Sequence, residues 1–398
     1  MSQTDGRIPK SVKGLSVVSL FNDFSSEMVY PLLPAFVTRT LGGGPALLGL
    51  LDGAAELTSA LVKLVSGRLA DRPGWKRPLI LGGYLSAVLI RPLMAVTSAA
   101  WQVVGFRVLD RLGKGLRTPA RDALIAGITP SAVRGRAYGF HRGADHLGAV
   151  LGSVAAWWLL QSQVEVRDVL AWSIVPGLVA FLVLMVVLRA KEVSRAEVAI
   201  APPSVEPVAG SVFWPPILTL AALTFCRLPE TLLILRLQDL GVRLEVIPLV
   251  WAGLHVVRTV GSYPGGWLAD RIGPRLSIFA GGLLATITAM LLALDLAPGA
   301  AMAAFLGFGL VAGLMESSER VLVARLAPVR TGRGFGAYHA SIGIAALPAG
   351  VLFGLAYQHL GGSTALWISA VAIGVTLVGW LAVSRQLPAG SSSVHHGK

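Results

Sequence analysis

The sequence predicts an all-α membrane protein with twelve transmembrane helices in two pseudo-symmetric six-helix bundles. Three observations predict it: an apolar composition, basic loops that alternate along the chain, and an internal repeat at half the chain length. The 398 residues are 54% hydrophobic and only 14% charged, and the mean hydropathy is +0.69. So few polar side chains do not cover the surface of a soluble protein of this size, whereas a surface that faces lipid needs none.

Apolar segments long enough to cross a membrane recur twelve times. A helix needs about 20 residues to cross about 30 Å of hydrocarbon. With short turns between them, the predicted spans are 14–38, 45–66, 77–98, 101–126, 136–160, 169–188, 214–237, 246–267, 275–295, 300–326, 333–358 and 364–384. The first follows a basic start, as a signal peptide does, but Asp23 and Glu27 interrupt it and no small-residue cleavage site follows. We therefore expect an uncleaved first span.

The net charge of +13 suggests nucleic-acid binding in a soluble protein. Here the basic residues concentrate at the N-terminus and in every second loop, whereas the intervening loops hold only Arg39, Arg167 and Arg243. Such alternation is the signal that orients spans in a membrane, and it accounts for the basic excess. No nucleic-acid partner is therefore predicted. By the positive-inside rule both termini are cytoplasmic, and the chain is a multi-pass protein of the plasma membrane, in a bacterium the inner membrane.

The longest polar break divides the chain near its midpoint. It covers residues 189–213, where charged residues lead into a stretch that contains Pro202, Pro203 and Pro207. We expect a cytoplasmic linker there. It joins an N-terminal bundle of residues 1–188 to a C-terminal bundle of residues 214–398, which ends in a short cytoplasmic tail.

An internal repeat supports this division. Residues 67–72 read G-R-L-A-D-R, and residues 266–271, which lie 199 residues later, read G-W-L-A-D-R. Residues 135–139 read G-R-A-Y-G and are echoed 197 residues later by G-R-G-F-G. Two like-oriented six-helix halves with a central site are a recurrent plan of secondary transporters.

The duplicated G-x-L-A-D-R motif, followed by a small basic turn, resembles the signature loop of the major facilitator superfamily of transporters. The resemblance covers the whole chain in helix count, repeat and linker, and it implies the fold of that family. In the family this loop forms a cytoplasmic gate contact that holds the outward-open state. That role would fall on Gly67, Asp71, Arg72, Gly266, Asp270 and Arg271. The alternative is that these are ordinary turn residues whose charges only set topology.

The fourth span carries an unusual row of charges at intervals of three to four residues. It holds Arg107, Asp110, Arg111, Lys114, Arg117, Arg121 and Asp122. A basic group at mid-membrane costs about 3 kcal/mol, so the stripe is expected to line a solute cavity rather than face lipid. Arg111 and Gly115 also resemble the R-x-x-Q-G pattern of the family, which implies a role for Arg111 in proton coupling, although Lys114 replaces the glutamine.

Acidic side chains oppose these cations. Asp23 and Glu27 lie on one face of span one, and Asp52 with Glu56 forms a similar pair in span two. Carboxylates near cations can bind and release protons. The predicted solute cavity comprises Asp23, Glu27, Tyr30, Arg111, Lys114, Arg117, Arg121, Arg227, Glu316 and Arg320, and the predicted proton-coupling residues are Asp23, Glu27, Glu230 and Arg111. Static ion pairs that hold helices together are the alternative for each charge.

No cofactor, metal site or enzymatic activity is predicted. The histidines at 141, 146, 255 and 339 lack an H-x-x-x-H or cysteine spacing, and Cys226 is the single cysteine. The sequence has no phosphate-binding loop, nucleophile elbow or zinc-hydrolase motif, so ATP-driven transport and hydrolysis lack support.

The sequence therefore predicts a secondary active transporter that moves a small polar or charged solute by alternating access, coupled to protons and acting as an exporter. Solute, protons and membrane lipid are the expected partners of a monomer. Alternatives within the class are an importer of an organic anion, which the span-four cations favour, and efflux of a metal or metal chelate. A receptor or scaffold without transport, and a passive channel, are alternatives from other classes.

Overall fold

A computed structural model describes residues 8–70, 72, 74–130, 134–190, 193, 213–326 and 331–385. Within these residues the chain is almost entirely helical and contains no β-strand. The helices follow one another in antiparallel order as α1–α12, which confirms the predicted fold class. The predicted linker lies outside the described residues except for residues 189, 190, 193 and 213, and Asp71 also lies outside them.

Within the described residues the N-terminal half supplies six helices, of which the sixth is interrupted at Ser173. They are α1 (Lys10–Val29), α2 (Pro45–Ala70), α3 (Lys76–Leu93), α4 (Ala100–Ile128), α5 (Arg134–Gln161) and α6 (Val166–Trp172 with Ile174–Val187).

The C-terminal half supplies the other six. They are α7 (Trp214–Cys226 with Glu230–Asp239), α8 and α9 (residues 247–272 and 274–293 of the segment Ile247–Ala293, which turns at Gly273), α10 (Pro298–Leu326), α11 (Thr331–Leu360) and α12 (Gly362–Ser384). Most of the predicted bounds differ from these by no more than five residues.

Two of the helices are irregular where the site forms, because proline removes a backbone donor. After Val29 the chain passes through a tight turn at Tyr30–Leu32 and a wide turn at Phe36–Thr40. In α7, Arg227 and Pro229 have extended backbone angles, so the second helix of α7 begins anew at Glu230. The break leaves a helix N-terminus in the middle of the bundle.

The two sides of the bundle differ in how closely the halves approach. We call the side on which residues 10, 187 and 214 lie the linker side, and the other the opposite side. One hydrophobic core on the opposite side contains residues of both halves, such as Leu51, Trp251 and Phe353, whereas two further cores lie within single halves. Helices α2 and α11 touch there through backbone, since a Cβ on Gly49 would lie 1.9 Å from the carbonyl oxygen of Gly350.

Turns with positive φ recur at the spacing of the sequence repeat. Within the described residues, the φ angles are +65° at Gly42 and +83° at Gly241, and they are +77° at Gly74 and +84° at Gly273. Each pair is 199 residues apart. The third pair is Gln163 and Gly361, with φ of 62° and 84°, at a spacing of 198. The two halves therefore place residues with positive φ at equivalent positions.

The halves differ in how apolar their helices are. Among the described residues, eight segments are long and apolar enough to cross a membrane, and they correspond to α3, α6 and all six helices of the C-terminal half. The remaining helices α1, α2, α4 and α5 carry ionisable side chains along their middle portions. These four helices form the N-terminal wall of the cavity.

Candidate functional site

A cavity of about 510 Å³ lies between the two halves. That volume falls within the range of sites for small organic molecules. The N-terminal wall, from α1, α2, α4 and α5, is mainly ionisable, while the C-terminal wall adds apolar side chains such as Leu233, Phe305, Phe308 and Met315. Among the described residues, eight carboxylates and five Lys or Arg side chains line the cavity, so acids predominate.

The cavity opens toward the linker side. Arg142 on α5 and Glu316 on α10 line its linker-side portion, and their side chains are 57% and 47% exposed. At the other end, Tyr30 and Trp251 are 6% and 2% exposed. The structure therefore represents a state in which the cavity is accessible from one side and closed at the other.

Glu27 of α1 lies at the closed end and contacts the other half directly. Its Oε2 accepts a hydrogen bond of 2.8 Å from the indole nitrogen of Trp251, and it lies 3.8 Å from Nε2 of His255. The Trp251 ring packs between Tyr30 and His255, with centroid separations of 5.1 and 5.3 Å. This carboxylate is therefore held by an N–H donor and an imidazole, each of which belongs to the opposing half.

Asp52 of α2 forms a second contact between the halves. Its Oδ2 accepts hydrogen bonds from the backbone nitrogen of Thr231 at 3.0 Å and from the Thr231 hydroxyl at 2.8 Å. Both carboxylate oxygens lie 3.1 Å from the hydroxyl of Tyr30, which donates to them. The guanidinium of Arg107 lies over the Tyr30 ring, 4.5 Å from its centroid. A carboxylate of the N-terminal half therefore caps the second helix of α7.

Two cations of the predicted stripe on α4 face the cavity. Arg111 and Lys114 both line it, and among the described residues neither has a carboxylate within 4 Å. Asp23 also lines the cavity, accepts a hydrogen bond of 2.9 Å from Asn22, and interacts electrostatically with Lys114. Two cations and one acid of the N-terminal half therefore meet at the cavity surface.

The other charges of α4 point into the N-terminal bundle instead. Arg117 donates to the carbonyl of Gly83 at 2.9 Å and lies over the ring of Tyr84, and Arg121 bonds Ser19 at 3.1 Å and Asp122 at 3.0 Å. This differs from the sequence-based expectation that both line the cavity. Because a helix rises 1.5 Å per residue, the stripe is about 21 Å long, and α1 and α3 cover its ends.

A buried ion cluster lies in the same bundle. Asp110 accepts from Nε of Arg91 at 2.9 Å and lies 3.6 Å from a guanidinium nitrogen of Arg107. All three side chains are at most 3% exposed, and Arg91 also donates to the carbonyl of Asn22 at 2.7 Å. This cluster ties α1, α3 and α4 together, since unpaired charges at this depth are costly.

Of the remaining predicted residues, Arg227, Glu230 and Glu316 line the cavity, whereas the prediction that Arg320 lines it is wrong. Arg227 lines the cavity, with the Met315 sulfur 3.9 Å away, and Glu230 pairs with Arg258 at 2.9 Å. Arg320 is 55% exposed, lies outside the lining, and contacts Glu316 at 3.4 Å. Beside them, the hydroxyl of Tyr338 donates to the buried carboxylate of Glu319.

The predicted gate residues that the structure describes lie on the linker side, away from the contacts between the two halves. Gly67 is near the end of α2 beside Pro119, and Arg72 is exposed in the turn that follows. The guanidinium of Arg271 lies 4.9 Å from the ring centroid of Trp267. Gly266 and Asp270 are within α8, and the side chain of Asp270 is outside the described part of the chain.

Several residues that line the cavity or join the two halves beside it carry no strong signal in the sequence. Asp52 is visible there as an i, i+4 partner of Glu56, but Thr231, Trp251 and His255 are single residues in apolar helices. Their roles arise from the approach of two helices that are far apart in sequence. Among the described residues, no group of three or more His, Cys, Asp or Glu side chains is placed to hold a metal ion.

Two related bundles of membrane-crossing helices with a polar cavity between them define the class of secondary transporters. The chain belongs to the Major Facilitator Superfamily, whose family model matches residues 15–233 and 228–397. It is therefore a multi-pass membrane protein of a transporter family.

Individual relatives agree with this assignment. An uncharacterised MFS-type transporter of Methanocaldococcus jannaschii is 26% identical over 382 residues, covering 94% of each chain. The multidrug resistance protein MdtH of Yersinia enterocolitica is 34% identical over 134 residues, 34% of this chain and 33% of that one. The crystal structure of a bacterial homologue of the human lysosomal transporter Spinster, inward-facing and unoccupied, matches with a TM-score of 0.71 at 15% identity and covers 95% of this chain and 98% of its own.

Proposed function

We propose that this chain is a proton-coupled exporter of an amphipathic organic solute that carries a positive charge. The excess of carboxylates over Lys and Arg in the cavity is the observation that carries the proposal. The apolar C-terminal wall suits the uncharged body of such a solute, while the acids of the N-terminal wall suit its cationic group. The similarity to a multidrug resistance protein over a third of the chain supports export.

Glu27 is the proposed proton site. Its carboxylate lines the cavity and also bonds Trp251 of the other half, so its protonation weakens a contact that a transport cycle must break. Asp23 lies one helical turn away on the same face and is the proposed partner for the solute cation. Competition between solute and proton for these two acids would couple their movements in opposite directions.

A second candidate function is uptake of an organic anion. Arg111 and Lys114 line the cavity without a close counter-ion among the described residues, and this is the observation that favours an anionic group. Metal efflux lacks comparable support, because the described residues contain no cluster of metal-ligating side chains.

Proton flux in proteoliposomes tests these proposals. Purified protein is first screened for thermal stabilisation by amphipathic cations, zwitterions and organic anions, since a ligand at 100 times its Kd stabilises the folded state by about 2.7 kcal/mol. Solutes that bind are then added to vesicles that contain a pH-sensitive dye. We expect cations to drive proton movement in the wild type and in the exposed control Glu165→Gln, but not in Glu27→Gln.

Other outcomes contradict parts of the proposal. Proton movement at the wild-type rate in Glu27→Gln would place the proton site elsewhere. If organic anions alone drove proton movement, uptake of an organic anion would replace export of a cation as the proposed function.

A further inference from the structure

The second helix of α7 begins inside the membrane without a cap of its own. Its N-cap residue, Pro229, makes no side-chain capping bond, and the helix has the ten residues Glu230–Asp239. The first backbone N–H groups of a helix have no partner within it. Thr231, the second residue of this helix, is fully buried, so its backbone N–H must find an acceptor in the protein rather than in the water of the cavity.

The acceptor comes from the other half of the molecule. Asp52 on α2 receives the backbone N–H and the hydroxyl of Thr231, which is fully buried. The Thr231 hydroxyl also lies 3.3 Å from the carbonyl of Leu48. A carboxylate at a helix N-terminus is stabilised both by charge-assisted hydrogen bonds and by the helix dipole.

A pseudo-symmetric bond lies across the interface. Trp251 of α8 is 199 residues after Asp52, which is the spacing of the repeat, and its indole donates to Glu27 of α1. Helices α2 and α8 therefore each bond the first helix of the opposing half. In both bonds the N-terminal half supplies the carboxylate and the C-terminal half supplies a neutral N–H or O–H donor.

We propose that Asp52 is a latch that holds the opposite side closed by capping the second helix of α7 across the two halves. Opening that side separates α2 from α7, so Thr231 must lose its acceptor. The strength of this bond then helps to set the ratio of open to closed molecules. The inference rests on the proposed function only in taking the closed opposite side as one state of a transport cycle.

Distance measurements between the halves test the latch without any solute. In full-length protein carrying Cys226→Ser, spin labels are placed at Thr40 and Ala297, which are exposed on the opposite side of different halves. We expect Thr231→Val to raise the open-to-closed ratio about fivefold and Asp52→Ala to raise it more than tenfold. Thr231→Ser keeps the hydroxyl, and we expect it to stay within about twofold of the wild type.

Two results would overturn the latch. Unchanged distance distributions in both Thr231→Val and Asp52→Ala, in protein that elutes as a folded species, would show that the bond does not hold the gate. Equal shifts in Thr231→Ser and Thr231→Val would assign the effect to packing rather than to the hydroxyl. Because no proton flux is measured, a failure of the proposed transport function leaves this test unaffected.

Discussion

The two halves share a fold but not a chemistry. All six helices of the C-terminal half are apolar enough to cross a membrane by composition, whereas α1, α2, α4 and α5 of the N-terminal half are outside that set among the described residues. Both halves nevertheless place their positive-φ turns at equivalent positions. The two halves therefore share the positions of their turns. The charges of the N-terminal half form ion pairs within its bundle or line the cavity.

Within the N-terminal half the charges fall into two groups. Asp110 and its two arginines are buried in the bundle and bond one another, whereas Lys114 lies one turn further along α4 and faces the cavity. A single helix thus carries both a buried ion cluster and a group that faces the cavity. Substitutions in the two groups should have separable effects.

The largest expected effect is the loss of the buried ion cluster. Asp110→Asn leaves Arg91 and Arg107 buried without their counter-ion, which costs about 3–5 kcal/mol. Position 309, the equivalent of Asp110 in the C-terminal half, is a glycine, so the cost is specific to one half. Thermal unfolding and size-exclusion chromatography should show a large loss of folded protein. Asp295→Asn is the control, because Asp295 is 94% exposed although it contacts Arg236, and it should behave as the wild type.

A smaller loss of stability is expected for a charge of α4 that bonds within the bundle than for the ion cluster, and none for a charge that faces the cavity. Arg117→Gln should lower the free energy of unfolding by about 2 kcal/mol, since a charged donor to the carbonyl of Gly83 is lost. Lys114→Gln should leave stability unchanged but alter the KM of a charged solute. Paired measurements of unfolding and transport check both. Equal destabilisation by the two substitutions would show that α4 is not divided in this way.

The smallest expected effect concerns one turn. Gln163 has a φ of 62°, whereas its C-terminal equivalent, Gly361, has a φ of 84°. A residue with a side chain loses about 1 kcal/mol of folding free energy at positive φ. Glycine avoids this loss, but it loses more conformational freedom on folding, so only part of the gain remains. We expect Gln163→Gly to raise the free energy of unfolding by about 0.5 kcal/mol. The reciprocal Gly361→Gln should lower it by more, because Gly361 has a ψ of 161° and lies in a region that is essentially restricted to glycine. Differential scanning fluorimetry checks both; a lower Tm for Gln163→Gly would refute the equivalence of the turns.

Much of the fold could be predicted from the sequence because its signals are local. A run of about 20 apolar residues and a repeat of G-x-L-A-D-R specify spans and halves without knowledge of packing. The cavity was less predictable. Arg117 and Arg121 share a helical stripe with Lys114, but periodicity does not reveal which neighbouring helix covers each end of the stripe. Thr231 and Trp251 acquire their roles only because α7 packs against α2, and α8 against α1, at the interface between the halves.

The division of donors and acceptors between the halves bears on the origin of the chain. Equivalent turns indicate that one six-helix unit was copied, and two identical copies would meet as a homodimer with isologous contacts. In such a dimer, Asp52 of each copy would approach the carboxylate of Glu27 in the other, because Asp52 is the equivalent of Trp251. Two acids repel where an acid and an indole now bond. The present halves have therefore become complementary rather than interchangeable, and each requires the other as its partner.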